Sequence, residues 1–93
     1  MGALLVRVAS AYFGLSDETD VFREGRMPAT CRVRWAVSMV LHQDIGWGKK
    51  RIAKFLIKDK KAVHYGLKRA EALYRSDARF FDGVELLRKE VFP

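Results

Sequence analysis

Cysteine occurs once in this 93-residue chain, and proline and histidine twice each. The lone Cys31 excludes an intramolecular disulfide, and with only His42 and His64 beside it no four-ligand zinc site can be assembled from Cys and His. A reducing cytoplasm and no metal are therefore expected. Long apolar runs are also scarce. The first, Ala3 to Val6, is interrupted by Arg7, so neither a transmembrane span, and hence no membrane partner, nor a signal-peptide core is expected. Position 6 is Val where N-myristoylation needs Ser or Thr. The G-x-x-x-x-G-K-[ST] phosphate loop is missing. Gly46-Trp47-Gly48-Lys49-Lys50 lacks both its spacing and the hydroxyl that would hold magnesium, and reads as a loop leading into a helix. No Ser-His-Asp or Cys-His arrangement stands out, because Cys31 and His42 fall about three turns apart on one expected helix. Neither catalysis nor a cofactor is expected.

Positive charge is plentiful, and it is unevenly placed. The formal net charge is +7, with 18 Lys and Arg against 11 Asp and Glu. Up to Gly48 the five basic side chains (Arg7, Arg23, Arg26, Arg32, Arg34) are matched by five acids (Asp17, Glu18, Asp20, Glu24, Asp44). From Lys49 to Arg69 nine basic side chains, Lys49, Lys50, Arg51, Lys54, Lys58, Lys60, Lys61, Lys68 and Arg69, face a single acid, Asp59. A solvated face would mix signs, since uncompensated repulsion costs stability. A block of one sign points to a polyanionic partner, nucleic acid foremost.

Hydrophobic residues make up 49% of the chain and recur at helical spacing almost throughout, with no internal repeat or low-complexity tract. The expectation is one all-α domain, a compact helix bundle. The first helix runs from about Ala3 to Phe13 with Leu4, Leu5, Val8 and Tyr12 on its inner face, and stops at Gly14 with Leu15 tucked back. Ser16-Asp17-Glu18 opens one short turn of helix, and Asp20 to Pro28 is a polar connection. Pro28 and Thr30 start a long helix whose inner stripe is Val33, Val37, Val40 and Leu41, ending near His42 before the two glycines of Gln43 to Gly48. A short helix from Gly48 to Leu56 turns Ile52, Phe55 and Leu56 inward. Only Ile57-Lys58-Asp59 separates it from a helix running to about Arg75, capped by Asp59 and buried through Val63, Leu67, Ala70 and Tyr74. Short helix, tight turn and longer helix form the helix-turn-helix arrangement, here without the glycine common in its turn. Ser76 or Asp77 caps a last helix burying Phe80, Val84, Leu87 and Val91.

If that stripe faces the core, Lys60, Lys61, His64, Tyr65 and Lys68 point outward. Long cations reach guanine edges or phosphates in a major groove, and an aromatic packs on a thymine methyl. Gly66 among them either lets the helix approach DNA or marks a tight helix crossing. Lys49, Lys50 and Arg51 open the preceding helix, where backbone amides and side chains together favour phosphate. Asp59 serves as the cap or accepts from a cytosine amino group.

Val8-Ala9-Ser10-Ala11-Tyr12-Phe13-Gly14-Leu15, an Arg-bearing loop, the long helix from Thr30 and Asp59-Lys60-Lys61-Ala62-Val63-His64-Tyr65-Gly66 together resemble the C-terminal DNA-binding domain (domain IV) of the bacterial replication initiator DnaA. In that family the turn is followed by Asp-His-Thr-Thr-Val and, two residues on, His-Ala; Asp59 and Val63 are identical here. The resemblance implies a bundle of the Trp-repressor type bound to double-stranded DNA. It also implies Arg26 as a loop residue in the minor groove, Arg34 (or its rival Arg32) on phosphate, and base reading from Asp59, Lys60 and Lys61. With Lys60-Lys61-Ala62 in place of His-Thr-Thr, the binding mode carries over and the family's nine-base target does not. Lacking an ATPase, such a domain would regulate transcription or replication on the nucleoid. From another class, an adaptor recruiting a replication or transcription partner would use Trp35, Trp47 and Phe92 as an exposed aromatic surface. RNA recognition is disfavoured for want of a sheet platform, and lipid binding because the cations span two helices across a turn.

Overall fold

The computed structural model describes all residues from Met1 to Pro93. Five helices, α1 (Gly2–Phe13), α2 (Pro28–Val40), α3 (Lys49–Leu56), α4 (Lys60–Ser76) and α5 (Ala78–Val91), make an all-α bundle without strands. The centre is α2. Its first half buries a stripe, whereas from Ala36 to Val40 every residue is buried, so α1, α4 and α5 pack around it on different sides. A helix segment buried on all sides belongs inside a bundle, and Val33, Val37, Val40 and the following Leu41 are the fully buried stripe expected of it. No helix is long and apolar enough to cross a membrane.

The punctuation residues act where their chemistry places them. Gly14 ends α1 in the left-handed conformation, with φ 77°, and the Leu15 amide donates back to the Ser10 carbonyl at 2.8 Å. Pro28 occupies the first turn of α2, where its missing N–H costs nothing. After Val40 the chain widens into one i→i+5 turn, Leu41–Ile45, closed by Gly46 at φ 89°. Asp59 and Asp77 cap α4 and α5, their carboxylates accepting from the Ala62 and Phe80 amides at 2.7 and 3.1 Å. The Phe80 amide holds the Asp77 carboxyl below its ordinary pKa despite a smaller opposing desolvation, and Arg32 at 3.4 Å adds to the lowering.

Two readings of the chain need correction. On α1 the core face is Leu5, Val6, Ala9 and Phe13, with Leu4 40% exposed and Val8 and Tyr12 only half-buried. Apolar residues cover most of this short helix, so periodicity leaves its rotation ambiguous. Packing settles it: the rings of Phe13 and Tyr12 lie so close to Gly83 of α5 that a Cβ there would sit 2.7 Å from Phe13 Cζ. The segment Asp20 to Pro28 is likewise not a plain polar connection. A 3-10 turn, Glu18–Phe22, carries Val21 into the core, and Phe22 packs edge-on against Phe55 at 5.5 Å.

The last helix is held by polar groups as well as by Phe80, Val84 and Leu87. The Arg88 guanidinium donates to Asp44 at 2.9 Å, to Glu85 at 2.5 Å and to the Tyr74 hydroxyl at 2.9 Å, tying α5 to α4 and to the turn after α2. Tyr74 in turn donates to Glu85 at 2.9 Å. That hydrogen bond and the nearby guanidinium keep Glu85 ionised below the usual carboxylate range, while burial pushes the Tyr74 phenol up.

Candidate nucleic-acid interface

Helix α3, the turn Ile57–Asp59 and helix α4 bring the basic block together. Val63, Gly66 and Ala70 face inward, which leaves Lys61, Tyr65 and Lys68, spaced four and three apart, as the outer ridge of α4. Lys60 and His64 lie along one flank and Arg69 along the other, all exposed. Ion pairs in the molecule belong to Arg23, Arg32, Arg75 and Arg88. None involves the nine cations between Lys49 and Arg69, and the one acid among them, Asp59, is turned to the α4 amides.

A groove runs along each side of α4. The larger, about 1300 Å³, lies between α4, the end of α3 and the loop before α2. Arg26 from the loop, Lys54 from α3 and Lys61 from α4 line it, with Trp35 and Tyr65 among its walls. Glu24 is the acid at its loop edge. The smaller, about 400 Å³, is lined by Lys49, His64 and Lys68, with Glu71 at one end. Arg26, Lys61 and Lys54 thus share one side, and Lys49, His64 and Lys68 the other. Lys50 and Arg51 continue the basic surface on the first turn of α3, Lys50 exposed and Arg51 stacked over the Trp47 ring at 4.0 Å.

Lys49 and His64 are joined: Lys49 Nζ lies 2.7 Å from His64 Nδ1. An ammonium only donates, so Nδ1 is the acceptor, and the neutral ring carries its proton on Nε2. Lys49, then partial desolvation, then Lys68 hold the His64 pKa below its ordinary value, which keeps that tautomer uncharged at neutral pH. His64 therefore offers an N–H donor, not a second cation.

The geometry gives several of these residues roles other than those expected. Arg34, placed on phosphate by resemblance, is turned inward: its Nε donates to the Val21 carbonyl at 2.7 Å, Nη1 to Gly25 at 2.5 Å, and Nη2 to Asp20 at 3.1 Å and to Arg23. Four of its five N–H groups are spent on one loop, and no bidentate phosphate grip is left. Its rival Arg32 is paired with Asp77. Gly66 does not face outward either. It is buried against α2, where a Cβ would fall 2.8 Å from Trp35 Cδ1, so the tight helix crossing is the correct reading. Trp35 itself is half-buried, with Arg69 over its ring at 5.5 Å and Tyr65 edge-on at 6.5 Å. Trp47 packs edge-on against Phe55 at 5.7 Å. Of the three aromatics expected to form a partner surface, only Phe92, 61% exposed, is free.

Lys58 belongs to the basic block, yet it is turned to the protein's own backbone. Its ammonium donates to the Arg23 carbonyl at 2.7 Å, bridging the α3–α4 turn to the loop before α2. Burial, then the neighbouring Arg34, lower its pKa, with Glu24 acting the other way. The only forewarning in the sequence was its position in a three-residue turn. No group of three or more His, Cys, Asp or Glu side chains is placed to hold a metal ion. No protein-family model, curated protein or solved structure matches the chain.

Proposed function

We propose that this chain is a sequence-specific double-stranded DNA-binding protein without catalytic activity. The observation that carries the reading is the absence of any carboxylate partner for the nine cations between Lys49 and Arg69, gathered on a short helix, a tight turn and the outer ridge of the next helix. In this reading α3 and α4 act as a helix-turn-helix of the Trp-repressor type. The first turn of α4 enters the major groove with Lys60 and Lys61, followed by His64 and Tyr65. Lys50, Arg51 and Lys68 contact phosphate, together with the two Lys49 N–H groups not given to His64. His64 Nε2–H suits an acceptor-rich base edge, such as guanine N7 and O6. Arg26, exposed at the far side of the larger groove, reaches the adjacent minor groove. Asp59 acts as the cap, because its carboxylate accepts from the Ala62 amide.

The role follows the resemblance to DnaA domain IV: a stand-alone regulator of transcription or replication on the nucleoid, with no nucleotide switch of its own. The reading is tested by duplex binding. Selection from random duplexes should yield a preferred site. Against it Lys61→Ala should lose preference at one base position, worth about 1–3 kcal/mol, whereas Lys50→Ala should weaken all duplexes alike. A wild-type protein that binds no duplex at about 50 mM salt would end the proposal.

A further inference from the structure

The loop before α2 carries Arg26, yet its own local bonds stop at Arg23, whose amide and guanidinium go to Asp20; Arg23, Glu24, Gly25 and Arg26 form no helix or strand. Loops of such composition are mobile unless their backbone groups find partners. Here the partners come from two other elements. Arg34 of α2 donates to the carbonyls of Asp20, Val21, Arg23 and Gly25. Lys58, in the turn between α3 and α4, donates to the same Arg23 carbonyl. Arg23 is thus held from both sides, three residues from Arg26, while Arg26 and Lys61 line the same groove. Two cationic side chains are directed at peptide oxygens beneath a surface otherwise rich in unpaired cations. That arrangement serves geometry: Arg34 keeps one of its five N–H groups, and Lys58 turns two of its three donors to the Arg23 and Ile57 carbonyls.

We infer that Arg34 and Lys58 are positioning residues, a clamp that fixes the loop to the α3–α4 turn so that Arg26 and the first turn of α4 meet a duplex as one rigid unit. The inference rests on the DNA-binding reading and deepens it: it makes the spacing between the minor-groove and major-groove contacts a property of the free protein. Arg34 then matters through its planar fork of donors, not its charge, and lysine cannot replace it.

The test separates the clamp from the DNA reading. Backbone 15N relaxation on the DNA-free protein should give order parameters at residues 23–26 near the rigid value of about 0.85 in the wild type. They should fall below about 0.6 in Arg34→Lys, with a smaller fall in Lys58→Gln, the variant that decides the matter if Arg34→Lys does not fold. On a selected duplex, Arg34→Lys should lose about as much affinity as Arg26→Ala, roughly tenfold, and the double variant should lose no more than either alone. A loop that stays rigid in both clamp variants overturns the inference. So does full rescue of binding by the charge-conserving Arg34→Lys, or additivity with Arg26→Ala, since either would make Arg34 a direct phosphate ligand. If the wild type binds no duplex, the DNA reading falls and the relaxation result alone decides whether the clamp exists.

Discussion

Gly66 and His64 show how much a single position on α4 can settle. Alanine at a helix-interior glycine ordinarily gains up to about 1 kcal/mol of helix propensity. At Gly66 the added Cβ would meet the Trp35 ring at 2.8 Å, close to its backbone attachment, where the ring cannot swing aside cheaply. Overpacking of this kind costs about 1–3 kcal/mol, so Gly66→Ala is expected to be net destabilising in a denaturant titration. The spacing of Gly66 from Val63 and Ala70 was legible in the sequence. Its neighbour on α2 was not, which left a close approach to DNA open as a second reading. Arg34 was harder still: its partners are backbone carbonyls, and these leave no signature in side-chain identity. For His64, the ammonium of Lys49 disfavours a second positive charge, so its NMR titration midpoint is expected below the ordinary histidine value of 6.5. Lys49→Met should move it back up. Because the folded-state pKa is depressed, the unfolded chain takes up the proton first as pH falls below 6.5, and stability contributed by this contact is lost in that direction. A wild-type midpoint at or above 6.5 would refute the contact.

At the level of elements, the boundaries were the legible part. Gly14, Pro28, Gly46, Asp59 and Asp77 each act through local backbone chemistry that operates regardless of tertiary context. What could not be read was the rotation of α1, because Leu4, Leu5, Val6 and Val8 offer more than one apolar stripe and the choice is made by α5 and Phe13. The α3–α4 turn is the informative exception to local consistency. Its sequence lacks glycine, and the structure places Ile57 at φ 57°, 70% exposed, in a left-handed conformation that a β-branched residue adopts at a cost of about 1–2 kcal/mol. Ile57→Gly removes that cost and buries nothing less. It is expected to stabilise the protein by about 1 kcal/mol, raising Tm by about 4–8 °C for a domain of this size, as read by calorimetry. An unchanged or lowered Tm would mean that the Ile57 side chain contributes packing its exposure does not reveal.

At the scale of the whole molecule the bundle divides its labour by sign. Of the 11 carboxylates, Asp17, Asp20, Asp44, Asp59, Glu71, Asp77 and Glu85 cap a helix or pair with Arg23, Arg32, Arg75 and Arg88, and the Arg88 cluster locks α5 behind the core. Between Lys49 and Arg69 no such pairing exists; burial lowers the Lys58 pKa, and Lys49 ahead of partial desolvation lowers that of His64. The charge block was visible in the sequence because it is contiguous there. Its division into two grooves flanking α4 was not, since that depends on how the loop before α2 folds over. If this surface meets a duplex, bound counterions must leave the DNA in proportion to the phosphates neutralised. The most direct measurement is the equilibrium constant for a selected duplex across a salt series. With about five phosphates contacted, log K should fall against log salt with a slope of about −4.5, reduced by about one in Lys50→Ala. A slope near zero, or one unchanged by that substitution, would contradict the account.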